Sequence, residues 1–247
     1  MKRFFVEQLS PDEKIISITG KEFHHLKNVL RLNRGDEIIV FDGKGLEFSG
    51  KIESIGKHEA RIAIEKQVES IKESGFEIIL CQGLAKSEKM ELIIQKATEL
   101  GVSRILPFIT NRVVPSLDAT QIAQKTQRWR RIALEAAKQC RRSIVPMVEE
   151  PKTFTEILKG WDNYIKIILW EEEKKNSLKD ILKKDRFSGC IVLIGPEGGF
   201  SEVEVAEAKK AGFVPAMLGP RILRTETAAI GIVAIIQYEL GDIGLSK

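Results

Sequence analysis

From residue 76 to the C-terminus, apolar strand-like runs alternate with helix-like runs. This alternation is typical of an α/β fold, with a largely parallel sheet and helices on both of its faces. The predicted strands cover residues 77–81, 104–108, 164–170, 190–194 and 214–218. Ser87 is the predicted N-cap of a helix that stops at Gly101, and a long helix is predicted over about residues 118–140.

Two of the predicted strands lead into glycine-marked loops. The first loop lies in IVLIGPEGGFS (191–201) and the second in MLGPRILRTETA (217–228). Ser201 and Glu204 form a capping-box pattern after the first loop, and Thr225 is the predicted N-cap of the last helix. Glycines at strand ends let a ligand approach the backbone, and the helices that follow offer unpaired N–H groups. We therefore expect the two loops to form two walls of one pocket.

The N-terminal part of the chain predicts a separate small β domain. A strand-like run at residues 37–41 leads into Asp42-Gly43, which is a hairpin-type turn signal, and a second and a third strand-like run follow at residues 48–54 and 60–65. The polar, glycine-terminated segment 69–75 is the expected boundary. The predicted domains are residues 1–70 and residues 75–247.

The composition is that of an ordinary globular protein, and it favours neither a metal site nor a membrane segment. The three cysteines are widely separated and odd in number, which argues against a disulfide framework or a metal site. His24 and His25 fall on a short predicted helix over residues 21–30, and we interpret them as packing or surface residues. The N-terminus is charged too early for a signal peptide and no apolar run approaches membrane-spanning length, so we expect a cytoplasmic protein without membrane contact.

Positive charge is concentrated in one segment. Residues 1–70 contain 12 Lys and Arg and 12 Asp and Glu, whereas residues 104–142 contain nine cations, seven of them arginine, against two acids. Each neutralised phosphate releases condensed counterions, and arginine binds phosphate in a bidentate manner, so this excess favours a nucleic acid over a solvated helix face. The arginines expected to contact phosphates are Arg112, Arg128, Arg141 and Arg142.

Neither glycine-marked loop matches a phosphate-binding fingerprint. The chain has no Gly-x-x-x-x-Gly-Lys-Ser/Thr motif, and no Gly-x-Gly-x-x-Gly follows the strand before the first loop. Glu197 in the first loop and Glu226 in the first turn of the last helix would repel a triphosphate. An adenine-bearing ligand with positive charge, such as S-adenosylmethionine, fits these carboxylates better. The alternative is that residues 195–199 form only a tight turn with a solvated Glu197.

The two loops resemble the cofactor motifs of the SPOUT methyltransferases. The matching segments read LIGPEGGFS (193–201) and LGPRILRTETA (218–228). They are most similar to the bacterial small-subunit methyltransferase E family, which methylates N3 of a uridine in 16S rRNA. The likeness continues through EKMELIIQKATELGV (88–102) and WRRIALEAAKQCR (129–141) and into the N-terminal part, so it covers essentially the whole chain.

The resemblance implies an N-terminal PUA-like β-barrel and a C-terminal SPOUT domain whose chain forms a deep trefoil knot. It also implies a homodimer, S-adenosylmethionine as the cofactor, and 16S rRNA of the small ribosomal subunit as the substrate. The charged stretch 171–177 matches nothing in the family pattern. The implied cofactor-binding residues are Leu169, Ile194, Gly195, Glu197, Gly199, Leu218, Gly219, Leu223, Arg224 and Thr225.

The implied reaction is in-line transfer of a methyl group from a sulfonium sulfur to a uracil nitrogen. N3 lies on the Watson–Crick edge, so the base must be unpaired or flipped out. N3 also carries a proton that must leave; Glu197 is one candidate base, and its alternative role is to orient the loop. Arg224 is the candidate that stabilises negative charge on the uracil oxygens, and its alternative role is an ion pair with Glu226 or a bond to a backbone carbonyl.

Two other functions stay open on the residues alone. A non-catalytic RNA-binding or ribosome-assembly factor would keep the knotted fold, although such a protein does not need both loops to be complete. A sugar-nucleotide or phosphate-binding α/β enzyme would instead be stabilised by nucleotides.

Overall fold

The computed structural model describes residues 1–69, 73–110, 118–183 and 187–245. The chain divides into two compact units. The first comprises Met1–Lys72 and Ala137–Val145, and the second comprises Glu73–Ala136 and Pro146–Lys247. The domain boundary near residue 70 stays a prediction, and the sequence pattern does not predict that residues 137–145 group with the first unit.

The first unit is built on a five-stranded sheet with the strand order β1-β3-β4-β5-β2. Its strands are β1 (Lys2–Phe5), β2 (Ile15–Thr19), β3 (Glu37–Phe41), β4 (Glu47–Ile55) and β5 (Glu59–Gln67). The β1–β3 pair is parallel and the other pairs are antiparallel. Helix α1 (Gly20–His24) continues into one π-helical turn (His25–Val29), and together they occupy the region of the predicted short helix.

The core of the first unit follows from the alternation of side chains along its strands. In β2, Ile16 and Ile18 are buried while the residues beside them are exposed. Phe23 and Leu26 from the helical segment join the same hydrophobic cluster. The predicted small β domain is therefore confirmed, and β1 and β2 form the two edges of its sheet.

The second unit contains a parallel sheet with the order β12-β10-β11-β6-β7-β8, and β9 also pairs with β7. All of these pairs are parallel, as the alternating pattern predicts. The short strands β8 and β9 are not predicted by the sequence pattern. The strands are β6 (Glu77–Gly83), β7 (Arg104–Ile109), β8 (Met147–Val148), β9 (Lys152–Thr153), β10 (Tyr164–Leu169), β11 (Gly189–Ile194) and β12 (Val214–Ala216).

The helices that follow the domain boundary are α2 (Ser87–Glu99), α3 (Ala119–Cys140), α4 (Phe154–Ile157), α5 (Leu178–Leu182), α6 (Glu202–Lys210) and α7 (Thr225–Leu240). The predicted capping box before α6 is confirmed. Ser201 accepts the N–H of Glu204 with its hydroxyl, and the Glu204 carboxylate accepts the N–H of Ser201. No helix in the described ranges is long and apolar enough to cross a membrane.

Two predicted N-caps are wrong by one residue. Lys86 and Arg224 occupy the N-cap positions of α2 and α7, and Ser87 and Thr225 are the first helical residues. The Thr225 hydroxyl bonds instead to the carbonyl of Gly195, 30 positions away in sequence. The local pattern assigns the Thr225 side chain to the helix end, but its hydroxyl bonds to Gly195, which is distant in sequence.

The path of the chain around β10 and β11 brings the two predicted loops together. The chain leaves β12 at the edge of the sheet and then returns, so that α7 contacts α2, β6 and β11. This return across β10 and β11 is the kind of path that a knotted fold requires. The threading of the knot itself stays a prediction.

Candidate functional site

A cavity of about 290 Å³ opens where β10, β11 and β12 end. The carboxyl edge of a parallel sheet is the usual ligand site of open α/β folds. The cavity is lined by both glycine-marked loops, by the segment that follows β10 and by Lys89 of α2. The structure brings all ten residues predicted to bind a cofactor to this one pocket: Leu169, Ile194, Gly195, Glu197, Gly199, Leu218, Gly219, Leu223, Arg224 and Thr225.

The first loop depends on two glycines. Gly199 has φ = 65°, a left-handed conformation that favours glycine, and its N–H donates to the carbonyl of Pro196 at 3.0 Å. A Cβ on Gly195 would lie 3.1 Å from the Gly199 backbone. A Cβ on Gly199 would lie 2.5 Å from a carboxylate oxygen of Glu171. The loop is folded so tightly that a side chain at either glycine would displace a neighbour.

The second wall of the pocket is tied to the first by a hydrogen bond. Thr225 Oγ1, in the first turn of α7, donates to the carbonyl oxygen of Gly195 at 2.6 Å. Thr225 is only 6% exposed, so this bond is shielded from water. Further along the wall, Ile222 and Leu223 are exposed apolar side chains. The wall is therefore anchored at its helical end.

The Glu197 carboxylate is held by the start of α2. Its Oε1 accepts the backbone N–H of Lys86 at 3.1 Å and lies 3.4 Å from Lys89 Nζ. Partial burial raises the pKa of this carboxyl, but the backbone hydrogen bonds and the Lys89 charge outweigh burial, so the pKa lies below its ordinary value. A carboxylate with a lowered pKa is a weak base. The arrangement favours the loop-orienting role over the proton-accepting role.

Lys89 is a pocket residue that the sequence analysis missed. Its Nζ lies 3.4 Å from Glu197 and 3.4 Å from Glu226 Oε2, so one ammonium group bridges the first loop and helix α7. Glu226 therefore pairs with Lys89, and the ion pair with Arg224 that the sequence left open does not form. The one sequence signal that could have indicated this role is the position of Lys89 in the first turn of the predicted helix that follows the strand at residues 77–81.

Arg224 lines the pocket with an exposed side chain. No carboxylate within the described ranges forms an ion pair with it. Its backbone adopts the extended conformation of an N-cap residue, with φ = −65° and ψ = 152°. A cationic group left free at the mouth of a pocket can meet negative charge that develops on a bound molecule.

The acidic stretch after β10 is part of the pocket wall. Glu171 lines the cavity and lies against Gly199. The Glu173 carboxylate accepts the backbone N–H groups of residues 174, 175 and 176 at 3.0, 2.7 and 3.2 Å, which closes a turn. The carbonyl of Asn176 then accepts the N–H of Met217, so this turn borders the second loop. The sequence analysis could not place this stretch because its contacts with the pocket loops, at Gly199 and Met217, are tertiary.

Two of the four arginines predicted to contact phosphate are exposed. Arg128 pairs with Glu91 of α2 at 2.8 Å, and 67% of its side chain stays exposed. Arg141 is exposed at the end of α3, where its φ of 67° is left-handed. Both side chains are positioned to reach a nucleic acid, and the contact itself stays a prediction.

The other two predicted arginines differ from this pattern. Arg142 is only 7% exposed, and its carbonyl accepts a hydrogen bond from Arg3 at 3.0 Å. Burial gives its side chain little access to phosphate, so a structural role in the first unit is favoured. Arg112 lies outside the described residues.

No histidine or cysteine in the described ranges lines the pocket. His24 is exposed and hydrogen-bonded to Asn28, and His25 contacts the ring of Phe4, which agrees with packing and surface roles. Cys81 and Cys190 are buried free thiols. In the described part of the chain, no group of three or more His, Cys, Asp or Glu residues is placed to hold a metal ion.

Comparison with known families gives this geometry a class. The family described as RNA methyltransferase domain matches residues 72–237, and the family described as RNA methyltransferase PUA domain matches residues 18–65. These matches cover the α/β unit that holds the pocket and most of the N-terminal sheet. The fold and its pocket are therefore those of an RNA methyltransferase.

Individual relatives narrow the class. The chain is 35% identical over 97% of its length to the ribosomal RNA small subunit methyltransferase E of Bacillus subtilis, of which it also covers 97%. The crystal structure of the protein of that name from Neisseria gonorrhoeae, bound to S-adenosyl methionine, shares 33% identity and a TM-score of 0.89, with 98% and 99% of the two chains covered. A putative methyltransferase from Legionella pneumophila, solved with the bound cofactor SAM, shares 32% identity and a TM-score of 0.90, with 98% of each chain covered. The chain belongs to the ribosomal RNA small subunit methyltransferase E family.

Proposed function

We propose that this protein transfers a methyl group from S-adenosylmethionine to N3 of a uridine in 16S rRNA of the small ribosomal subunit. The observation that carries the proposal is the convergence of all ten predicted cofactor residues on one pocket. Two structural relatives that match nearly the whole chain were solved with this cofactor bound. The identification of the methylated atom as N3 of a uridine comes from the family resemblance.

The chemistry of the pocket fits this cofactor. Gly195 and Gly199 keep the first loop free of side chains, so a ligand can approach its backbone. The carboxylates of Glu171 and Glu197 at the pocket suit a cationic ligand and oppose a triphosphate. When bound, S-adenosylmethionine supplies a methyl group on a positively charged sulfur and leaves as the neutral thioether.

The residues of the chain have separate tasks in the transfer. The loops hold the methyl donor so that the N3 lone pair can form the new N–C bond in line with the breaking S–C bond. The N3 proton passes to solvent before the new bond forms, and the resulting negative charge on the uracil oxygens must be stabilised until the methyl group is transferred. Arg224 is our candidate for stabilising that charge; it lines the pocket and forms no ion pair within the described ranges, which supports this role. Lys89 pairs with Glu197 and helps to hold the first loop in place.

The proposal also includes the partners of the protein, which are rRNA and a second copy of the chain. Arg128 and Arg141 would contact rRNA phosphates, where they position the substrate but do not select its sequence. A homodimer would cover exposed apolar side chains of α7, among them Ile235 and Tyr238. A 16S rRNA substrate would place the protein in the bacterial cytoplasm.

The test begins with cofactor binding and ends with the modified nucleotide. Saturating S-adenosylmethionine should raise the melting temperature, whereas ATP should not. Purified protein and S-adenosylmethionine should then restore methylation of one uridine in 16S rRNA from a strain lacking the gene, as mapped by mass spectrometry. Naked rRNA and assembled subunits are compared as substrates. Stabilisation by ATP alone would favour the nucleotide enzyme, and RNA binding without methylation of any uridine would favour the assembly factor.

A further inference from the structure

Gln82, at the carboxyl end of β6, contacts both walls of the pocket without lining the cavity itself. Its side chain is fully buried, and it is not among the residues that line the cavity. Gln82 Nε2 lies 2.9 Å from Thr225 Oγ1 in α7 and 3.4 Å from the carbonyl oxygen of Gly195 in the first loop. It also lies 2.9 Å from the carbonyl oxygen of Gly83. The amide group of Gln82 therefore contacts the first loop, helix α7 and its own strand.

The donors and acceptors in this group have one consistent arrangement. The carbonyls of Gly83 and Gly195 can only accept, so Gln82 must turn its NH₂ group towards them. The Thr225 hydroxyl donates to Gly195 and therefore accepts from Gln82. A flipped Gln82 amide would place its oxygen against two carbonyl oxygens. The hydrogen bonds thus run from Gln82 to Thr225 and from Thr225 to Gly195.

Close packing adds to the hydrogen bonds. A Cβ on Gly83 would lie 2.6 Å from Pro196 Cδ and 2.7 Å from Pro196 N, so the first loop rests directly on the end of β6. Gln82 Oε1 is buried and has no hydrogen-bond partner among the described residues. An unsatisfied buried oxygen lowers stability. The amide is therefore poorly explained as a purely stabilising group, because its NH₂ group reaches Thr225 and, at 3.4 Å, Gly195 in the pocket walls as well as Gly83 of its own strand, while its acceptor is left unmatched.

We infer that Gln82 is a positioning residue that couples the two walls of the cofactor pocket into one preorganised unit. The inference rests on the proposed function in assigning the pocket to S-adenosylmethionine. Preorganisation lowers the entropy that a ligand must remove on binding. Loss of the Gln82 amide should therefore weaken cofactor binding although no group that lines the pocket is removed.

The coupling can be tested without any ligand. In hydrogen–deuterium exchange, Gln82→Met should accelerate exchange in residues 195–201 and 225–230 together, because both segments lose the same anchor. Thr98→Val is the matched control, since Thr98 is equally buried and donates to the carbonyl of Ile94 within α2. Faster exchange in only one of the two segments of the Gln82 variant would overturn the coupling.

Cofactor affinity provides the second test, by calorimetry on the full chain. Gln82→Met and Thr225→Val should each weaken S-adenosylmethionine binding about tenfold, and the double variant should also lose only about tenfold, because both changes break one network. Thr98→Val should lower the melting temperature and leave the dissociation constant unchanged.

Each result has a separate meaning. Losses that multiply to about 100-fold in the double variant, or an unchanged dissociation constant in Gln82→Met, would overturn the positioning role. Absence of S-adenosylmethionine binding by the wild type would overturn the proposed function instead, and the exchange experiment would still decide whether Gln82 couples the two walls.

Discussion

The ammonium of Lys89 lies 3.4 Å from a carboxylate oxygen of Glu197 and joins helix α2 to the first loop of the pocket. The same oxygen accepts the backbone N–H of Lys86. With two donors on one oxygen and a lowered pKa, this carboxylate is better suited to fixing the loop than to removing a proton from N3. We therefore favour the loop-orienting role for Glu197, and its role as a base stays a prediction to be tested.

Glu197→Gln should retain methylation. The glutamine carbonyl can still accept the N–H of Lys86, whereas loss of a true general base costs about 10²–10⁴-fold in rate. We expect single-turnover rates within about tenfold of the wild type, with the acid limb of the pH–rate profile unchanged. A rate loss of three orders of magnitude, or a displaced acid limb, would restore Glu197 as the base.

Lys89→Met should lower stability in a pH-dependent manner. Because the folded-state pKa of Glu197 is lowered, its contribution to stability is present above the unfolded pKa and is lost as the pH falls through the folded value. The variant should therefore be less stable at pH 7 by about 0.5–1 kcal/mol, the range of partly exposed ion pairs. The difference should shrink below about pH 4, near the unfolded pKa of a glutamate.

Urea unfolding at a series of pH values measures this effect. Lys96→Met is the matched control, since Lys96 pairs with Glu99 on the same helix and does not line the pocket. Only the Lys89 variant should also bind S-adenosylmethionine more weakly. Equal binding losses in both variants would show that the ion pair has no specific role at the pocket.

Gly199→Ala should disrupt the first loop, whereas Gly198→Ala should be tolerated. A Cβ at residue 199 would meet the Glu171 carboxylate at 2.5 Å in a left-handed backbone, while a Cβ at residue 198 has nothing within 4 Å. The left-handed conformation alone costs alanine about 1–2 kcal/mol. Thermal unfolding and cofactor titration measure the two variants. Equal behaviour would mean that the loop adapts freely.

Arg224→Ala should slow the chemical step more than it weakens cofactor binding. If the guanidinium stabilises charge on the uracil oxygens, its loss should lower kcat about 100-fold, as for other donors to developing oxyanions. Arg221→Ala is the comparison, because Arg221 also lines the pocket and is exposed. Single-turnover methylation and calorimetry separate the two effects. A loss confined to the cofactor dissociation constant would assign Arg224 to binding.

Arg128→Ala and Arg141→Ala should each reduce the salt dependence of RNA binding. Loss of one phosphate contact lowers the slope of log K against log salt by about 0.7–0.9. Arg142→Ala should instead lower the stability of the folded chain, because that side chain is buried. Filter binding at several salt concentrations, with thermal unfolding of each variant, checks both expectations. An unchanged slope for Arg128 and Arg141 would place the RNA surface elsewhere.

Much of the fold could be predicted because its signals are local. The apolar runs that become β6, β10 and β11 lie close to their predicted limits, and Ser201 caps α6 as predicted. All the predicted pocket residues except Leu169 could be named because they belong to two contiguous motifs. A motif keeps its residues together in sequence, so it identifies a site without knowledge of how the chain is folded.

The missed features share one property, which is that their partners are distant in sequence. Lys89 meets Glu197 and Glu226 only because α2 and α7 are packed together. Thr225 gives up the capping role because Gly195 lies within reach of its hydroxyl. No periodicity or spacing reports such pairs.

The amino-acid sequence by itself determined the class of fold, the two loops and the family, since these depend on hydrophobic patterning and on motifs read along the chain. The tertiary structure alone decided how the site is held together: that one ammonium bridges two carboxylates, that a buried glutamine reaches both walls, and that Arg142 is buried while Arg128 is exposed. The physical reason is that burial and hydrogen-bond partners depend on which residues are neighbours in space. At the pocket, those neighbours are brought together by the return of the chain after β12, which packs α7 against α2, β6 and β11.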